Sequence, residues 1–198
     1  PIDATVQARA IWQEGVGKSD DYAFTPAVVG ASVYAAARDG TIVRLDDGQP
    51  VWRIKAEHAL SGGVGADGRI VAVGTAKGDV FALDAADGKL VWKAKASSEV
   101  ISPPAVGQGV VVVRSGDHRV AAYDLATGSP RWTRDFREDL GALAAWDDLL
   151  VIARGADVVF LDGPTGAVRR THSRLGPPNI YPAVALDASR VLVALDGA

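Results

Sequence analysis

Four tryptophans recur at a fixed interval: Trp12, Trp52, Trp92 and Trp132 stand forty residues apart. A period of that length restricts the fold to stacked modules, because a unit of about forty residues buries a core only against its neighbours. The context of the indole repeats with it. Residues 82–92 read ALDAADGKLVW and residues 122–132 read AYDLATGSPRW, while residues 44–52 give a version two residues shorter, RLDDGQPVW. A fourth copy, FLDGPTGAVRR at 160–170, keeps Asp162 and Gly166 and has Arg170 in place of the indole.

Upstream of each copy lie two short β-rich runs: VYAAA and TIVRLD, IVAVG and DVFALD, VVVV and RVAAYD, LLVIA and DVVFLD. Each pair is split by a glycine-bearing turn, and a further short run such as PAVV at 26–29 opens the unit. Four short strands joined by tight turns in about forty residues make one blade of a β-propeller. Helical periodicity is absent. The expected fold is therefore all-β, a propeller of four-stranded antiparallel blades forming one domain over 1–198. An outer strand covers about 8–17, blades cover 24–57, 58–96, 97–136 and 137–173, and a partial blade covers 174–198.

Elementary chemistry accounts for the constant letters. Gly48, Gly88, Gly128 and Gly166 fall in the turn before the outer strand, where a positive φ excludes a Cβ. Asp84, Asp124 and Asp162 close the preceding strand, where a short carboxylate accepts turn N–H groups. The tryptophan four residues past the glycine is placed to lie flat against a neighbouring blade. Trp12, Trp52, Trp92 and Trp132 are thus read as docking residues.

The pattern AxDxxxGxxxW resembles the tryptophan-docking motif of the quinoprotein (PQQ-type) propellers. A closer likeness lies in LSGGVGADGRIVAVGTAKGDVFALDAADGKLVW (60–92) and SSEVISPPAVGQGVVVVRSGDHRVAAYDLATGSPRW (97–132). These resemble the early blades of the BamB family, lipoprotein scaffolds of the machinery that inserts β-barrels into the outer membrane. AIWQEGVG (10–17) resembles the outer strand with which that family begins. The family has eight blades, and the loop leading into its fourth blade is missing here; 133–153 resembles a later blade. The resemblance implies a non-enzymatic, periplasmic scaffold at the outer membrane, binding the periplasmic domains of the barrel-inserting subunit through rim loops. Phe136, Arg137 and Leu140 fall where the family's partner-binding loop begins. Exposed blade edges also allow self-association. The alternatives are a fragment of a PQQ-dependent dehydrogenase, or a generic interaction or sensor propeller.

Other signals have plain readings. Gly63, Gly65 and Gly68 fit GxGxxG, but a strand follows where a dinucleotide site needs a helix. His58, His118 and His172 stand singly in loops, and the pairs Asp20-Asp21, Asp46-Asp47 and Asp147-Asp148 lack calcium-loop spacing. No catalytic residue, metal site or cofactor is expected. With no cysteine there is no thiolate chemistry, and the interleaved charges, net −3, offer no stripe for a nucleic-acid backbone. No apolar run reaches the ~20 residues of a membrane helix. No export signal is recognised at the start of the chain. The inter-blade loops 56–63, 96–104, 135–142 and 172–182 share one rim, and Leu60, Val100, Ile101, Leu140 and Ile180 among them suit either a protein-binding surface or a plug over the top of the core.

If the indoles hold blade to blade, Trp92→Ala should lower stability by roughly 3–5 kcal/mol. A thermal melt of that variant that superimposes on the parent's would remove the docking role.

Overall fold

The computed structural model describes residues 9–138, 140–146, 149–155, 157–173, 184–187 and 190–192. Four antiparallel four-stranded sheets follow one another along the chain. The first is β1 (Ala27–Val29), β2 (Ser32–Ala36), β3 (Thr41–Asp46) and β4 (Gln49–Lys55). The second is β5 (Leu60–Ala66), β6 (Ile70–Thr75), β7 (Asp79–Asp84) and β8 (Leu90–Lys95). The third is β9 (Ala105–Gly107), β10 (Val110–Arg114), β11 (Arg119–Asp124) and β12 (Pro130–Asp135). The fourth is β13 (Leu140–Trp146), β14 (Leu149–Arg154), β15 (Asp157–Asp162) and β16 (Val168–His172). A two-stranded hairpin, β17 (Val184–Asp187) and β18 (Arg190–Leu192), comes last. Strand order within each sheet follows the chain, as in a propeller blade.

The apolar cores lie between sheets. Tyr34, Ile42, Val71 and Val73 join the first sheet to the second; Ala72, Val80, Val111 and Val113 join the second to the third; Val112, Val120, Ile152 and Val159 join the third to the fourth. Side chains alternate across a strand, so in β10 Val111 and Val113 face one neighbour while Val110 and Val112 face the other. A strand buried on both faces needs an unbroken apolar run, which is why VVVV has no polar alternation.

Each seam is closed by the same contact. The Trp52 indole N–H donates to the Ala85 carbonyl at 3.0 Å, Trp92 to Leu125 at 2.8 Å and Trp132 to Gly163 at 2.8 Å. In every case the acceptor is the residue after the motif position occupied by Asp84, Asp124 or Asp162 in the next sheet. The ring covers that sheet's motif glycine. A Cβ on Gly88 would stand 3.0 Å from the Trp52 ring, on Gly128 2.6 Å from Trp92, and on Gly166 2.6 Å from Trp132. All three glycines also have positive φ, between 68° and 75°. Trp12 covers Gly48 in the same way, 2.5 Å from a Cβ there, but its own side is open and it is 44% exposed.

The outer strand carries a bulge at one register position in every sheet. Arg44, Ala82, Ala122 and Phe160 pair with Trp52, Trp92, Trp132 and Arg170, and the ladder slips by one at the next residue. The residues that the ladder register skips are Val51, Val91, Arg131 and Arg169. This explains why Val51 and Val91 are exposed although they sit in strands.

Residues 9–17, read from the sequence as part of an outer strand, form no ladder. They have no partner strand among the described residues and are held by other contacts. Arg53 donates to the carbonyls of Gly15 and Val16 and pairs with Glu14 at 2.7 Å.

Two glycines with near-identical φ separate backbone strain from ring contact. Gly109, at φ 75°, has no atom within 4 Å of an added Cβ, whereas Gly128, at φ 72°, meets the Trp92 ring. Gly109→Ala should cost about 1 kcal/mol and Gly128→Ala at least ~2 kcal/mol more in urea unfolding. Equal losses would mean that the indole gives way freely.

Candidate functional site: the loop rim and its axial cavity

The strands define two rims. On one, the turns carrying the repeated Asp and Gly meet the hairpins that open each blade: the Ala85 N–H donates to the Arg69 carbonyl and Leu125 to Gly109, both at 2.9 Å. On the other, the loop linking one blade to the next is fastened to the preceding blade's middle turn. The Ala56 N–H donates to Gly40 and Ala96 to Gly78, each at 2.8 Å, and Phe136 donates to His118 at 3.1 Å. The acceptors Gly40, Gly78 and His118 all have positive φ. His118 therefore fills a backbone slot that glycine fills in the first two blades. The nearby glycine in the sequence, Gly116, stands two residues before that slot.

The motif carboxylates behave as turn acceptors. Asp84 accepts from the Ala86 N–H at 2.7 Å, Asp124 from Ala126 and Thr127 at 3.0 and 2.9 Å, and Asp162 from Thr165 at 3.1 Å. The bulged Arg131 and Arg169 reach back to Asp124 and Asp162. The Arg131 guanidinium, with the Thr127 hydroxyl and turn amides, holds the Asp124 carboxyl down at about 2. Asp162 is lowered by the Thr165 hydroxyl and Arg169.

The loop rim has carboxylates of its own that sequence reading did not single out. Asp39 lies well below the usual carboxylate range, chiefly through the Thr41 hydroxyl and amide and Lys55. Burial pushes Asp79 up, but Lys93 and Lys95, each 3.3 Å away, bring it below its ordinary value. Burial likewise opposes ionisation of Asp117, and the Ser115 and Ser97 hydroxyls outweigh it. The signal for these residues was their place in equivalent turns, which only the hydrogen-bond pattern reveals.

The rim residues named from the sequence separate into two groups. Leu60 and Val100 are wholly buried and are corrected here to core positions; the Val100 side chain fills the space beside Gly74, 2.4 Å from where a Cβ would stand. Phe136 and Leu140 pack half-buried against the third seam beside Trp132. Arg137 is exposed, has φ 56°, and donates its N–H to Asp135 at 3.0 Å. Ile101 is 40% exposed. Ile180 and the pair Asp147-Asp148 lie outside the described residues.

His58 stacks near Phe81 and His172 meets Phe160 edge-on. Among the described residues no three His, Asp or Glu side chains converge as metal ligands. Gly63, Gly65 and Gly68 belong to β5 and its turn, and β6 follows directly. A Cβ on Gly65 would stand 1.9 Å from the Pro104 carbonyl, so that glycine serves the approach of two blades.

At the centre of the loop rim, the entering ends of the four innermost strands surround a cavity of about 300 Å³. Pro26, Val64, Ile101, Pro103, Leu140 and Leu143 supply apolar walls, with Thr25, Ser102 and Arg114 as polar groups.

Compared with known proteins, residues 38–194 match the family model described as "Outer membrane protein assembly factor BamB". The assembly factor BamB of Burkholderia pseudomallei is 45% identical over 80 residues, covering 39% of this chain and 21% of that protein. That of Bordetella pertussis is 42% identical over 81 residues, covering 40% and 21%. The chain thus aligns with about a fifth of the length of these curated relatives. The crystal structure of BamB from Moraxella catarrhalis superimposes with a TM-score of 0.69 at 26% identity, over 78% of this chain and 49% of that one. A quinohemoprotein alcohol dehydrogenase from Comamonas testosteroni, 19% identical with a TM-score of 0.64, shares the fold.

The depressed Asp124 carboxyl gives stability a defined acid limb. A carboxyl whose folded value lies below its unfolded one contributes fully above the unfolded value, and the contribution is lost as pH falls through the folded value. The gap in urea midpoint between the parent and Asp124→Asn should hold steady down to about pH 5, narrow below about pH 4 and close near pH 2. A gap that stays constant to pH 2 would mean that the Arg131 contact contributes nothing.

Proposed function

The chain belongs to the family of the outer membrane protein assembly factor BamB, and on that premise we propose that it is a non-enzymatic scaffold of the outer-membrane protein assembly machinery. It works in the periplasm, at the outer membrane, and holds the periplasmic domains of the barrel-inserting subunit through its loop rim. The family match across residues 38–194 carries this reading.

The division of labour between the rims supports it. The motif rim is occupied with its own seams: its carboxylates, glycines and backbone carbonyls are engaged by turn amides, indoles and bulged arginines. On the loop rim, the first three inter-blade loops are each pinned to a turn, so side chains between the pinning points project from a rigid base. Rigid presentation lowers the entropy cost of association. Of the candidate residues Phe136, Arg137 and Leu140, Arg137 is the exposed one, and its guanidinium is suited to a carboxylate or a backbone carbonyl of a partner.

A pull-down with the periplasmic domains of the barrel-inserting subunit tests this directly. The chain should bind at micromolar concentration, Arg137→Glu should weaken binding roughly tenfold, and Lys89→Glu on the motif rim should leave it unchanged. Absence of binding by the folded parent, or equal losses from both substitutions, would defeat the proposal.

A further inference from the structure

The segment leading into the first blade belongs to the loop rim, as the inter-blade loops do. The Asp39 N–H, in the first blade's middle turn, donates to the Lys18 carbonyl at 3.1 Å, and the Tyr22 N–H closes a turn onto Ser19 at 3.0 Å. Asp20 inside that turn has φ 49°, a strained backbone that a non-glycine residue keeps only where its surroundings hold it. Thr25 and Pro26, just before β1, line the axial cavity together with Leu140 and Gly141, where the loop of Arg137 enters β13. The two loops therefore converge on one surface.

Arg38 builds a platform beneath Tyr22. Its guanidinium carbon stands 3.7 Å from the centre of the phenol ring. The Leu60 carbonyl accepts from its Nη1 at 3.5 Å, the Asp20 carboxylate lies 4.0 Å away, and its own carbonyl accepts the Leu60 N–H at 3.1 Å. With a cation against one face of the ring, the other faces outward, and Tyr22 is 39% exposed. Its hydroxyl bonds to none of the described residues, and its ring joins none of the apolar cores between sheets. Trp12, the other exposed large aromatic among the described residues, already covers Gly48. A tyrosine fixed in this way offers a large rigid contact at small entropy cost, and binding energy concentrates at such residues. The negative ring face repels an anion, and Arg38 already draws on its electrons, so an uncharged aliphatic group suits the open side best.

We propose that Tyr22, positioned by Arg38, is a second anchor for the periplasmic domains of the barrel-inserting subunit, with an aliphatic side chain of that partner packed on the open face of its ring. The inference rests on the scaffold reading and extends the contact surface from the loop of Arg137 to the first blade's side of the rim.

Biolayer interferometry of the whole chain against those domains decides it, with each variant checked for an unchanged thermal melt. Tyr22→Ala should bind about tenfold more weakly, and Tyr22→Phe, which keeps the ring, within about twofold of the parent. Val28→Ala, at a 68% exposed position on the same blade, should bind like the parent. Arg38→Gln should weaken the parent about threefold and leave Tyr22→Ala no weaker, because Arg38 acts through the ring. If Tyr22→Ala fails to fold, nitration of Tyr22 in the parent decides instead, and it should run about tenfold more slowly in the complex than in the free chain. Full binding by folded Tyr22→Ala beside a weakened Arg137→Glu would overturn this inference and leave the scaffold reading standing. Absence of binding by the parent would defeat both. Equal losses from Tyr22→Phe and Tyr22→Ala, or equal nitration rates, would also overturn the ring contact.

Discussion

The structure depends on one contact made three times over: an indole laid on a glycine of the next blade, its N–H bonded to a carbonyl three residues before that glycine. It joins two chemistries that otherwise conflict. The ring removes a large apolar area from water, while its single donor must not be left unpaired. The turn beneath resolves both, because a left-handed glycine presents a bare backbone to the ring and leaves a carbonyl facing the donor. The glycine is thus constrained twice, by its φ and by the ring above it.

From this contact the remaining features follow in order. For the indole to reach the next blade, the outer strand must turn at that point, and a bulge lies at the same register position in all four sheets. The bulge leaves one residue per blade outside the ladder. In the first two blades it is a valine facing solvent; in the third and fourth it is an arginine that returns to the motif carboxylate. The two arginine side chains are more than half exposed although the carboxylates are largely covered, so the contribution of the pairing is modest and sensitive to salt. The seam itself is the stronger element.

Much of this was legible in the letters. The forty-residue period, the ALDxxxG turn and the paired apolar runs led to four-stranded antiparallel blades, and the family resemblance led to BamB. What the letters hid was three-dimensional pairing. Nothing local distinguishes Val100, which fills the hollow beside Gly74, from Ile101 next to it, which is 40% exposed and lines the cavity. His118 stands in a glycine slot without any sequence mark. Phe136 looks like a recognition residue, and its ring instead packs against the third seam. Residues 9–17, expected as an outer strand, pair with no strand among the described residues. A ladder needs a neighbour, and apolar pattern alone does not supply one.

The seam is also directional, and that governs how the fourth blade can continue. Each of the first three blades gives an indole forward, and each of the four receives one on its glycine turn; the first receives Trp12, and the fourth receives Trp132. The fourth blade's own outer strand holds Arg170 at the register position of the indole, opposite Phe160. Its far face is nevertheless apolar and buried, through Val151, Val158 and Phe160. The indole's register position on this outer strand is therefore held by a guanidinium, while the sheet beneath keeps an apolar face. A guanidinium also donates to carbonyls but does not fill the hollow over a glycine in the same way. Loss of the ring at that one position makes the fourth blade's outer strand chemically unlike the three before it, and the repeat ceases to be uniform there.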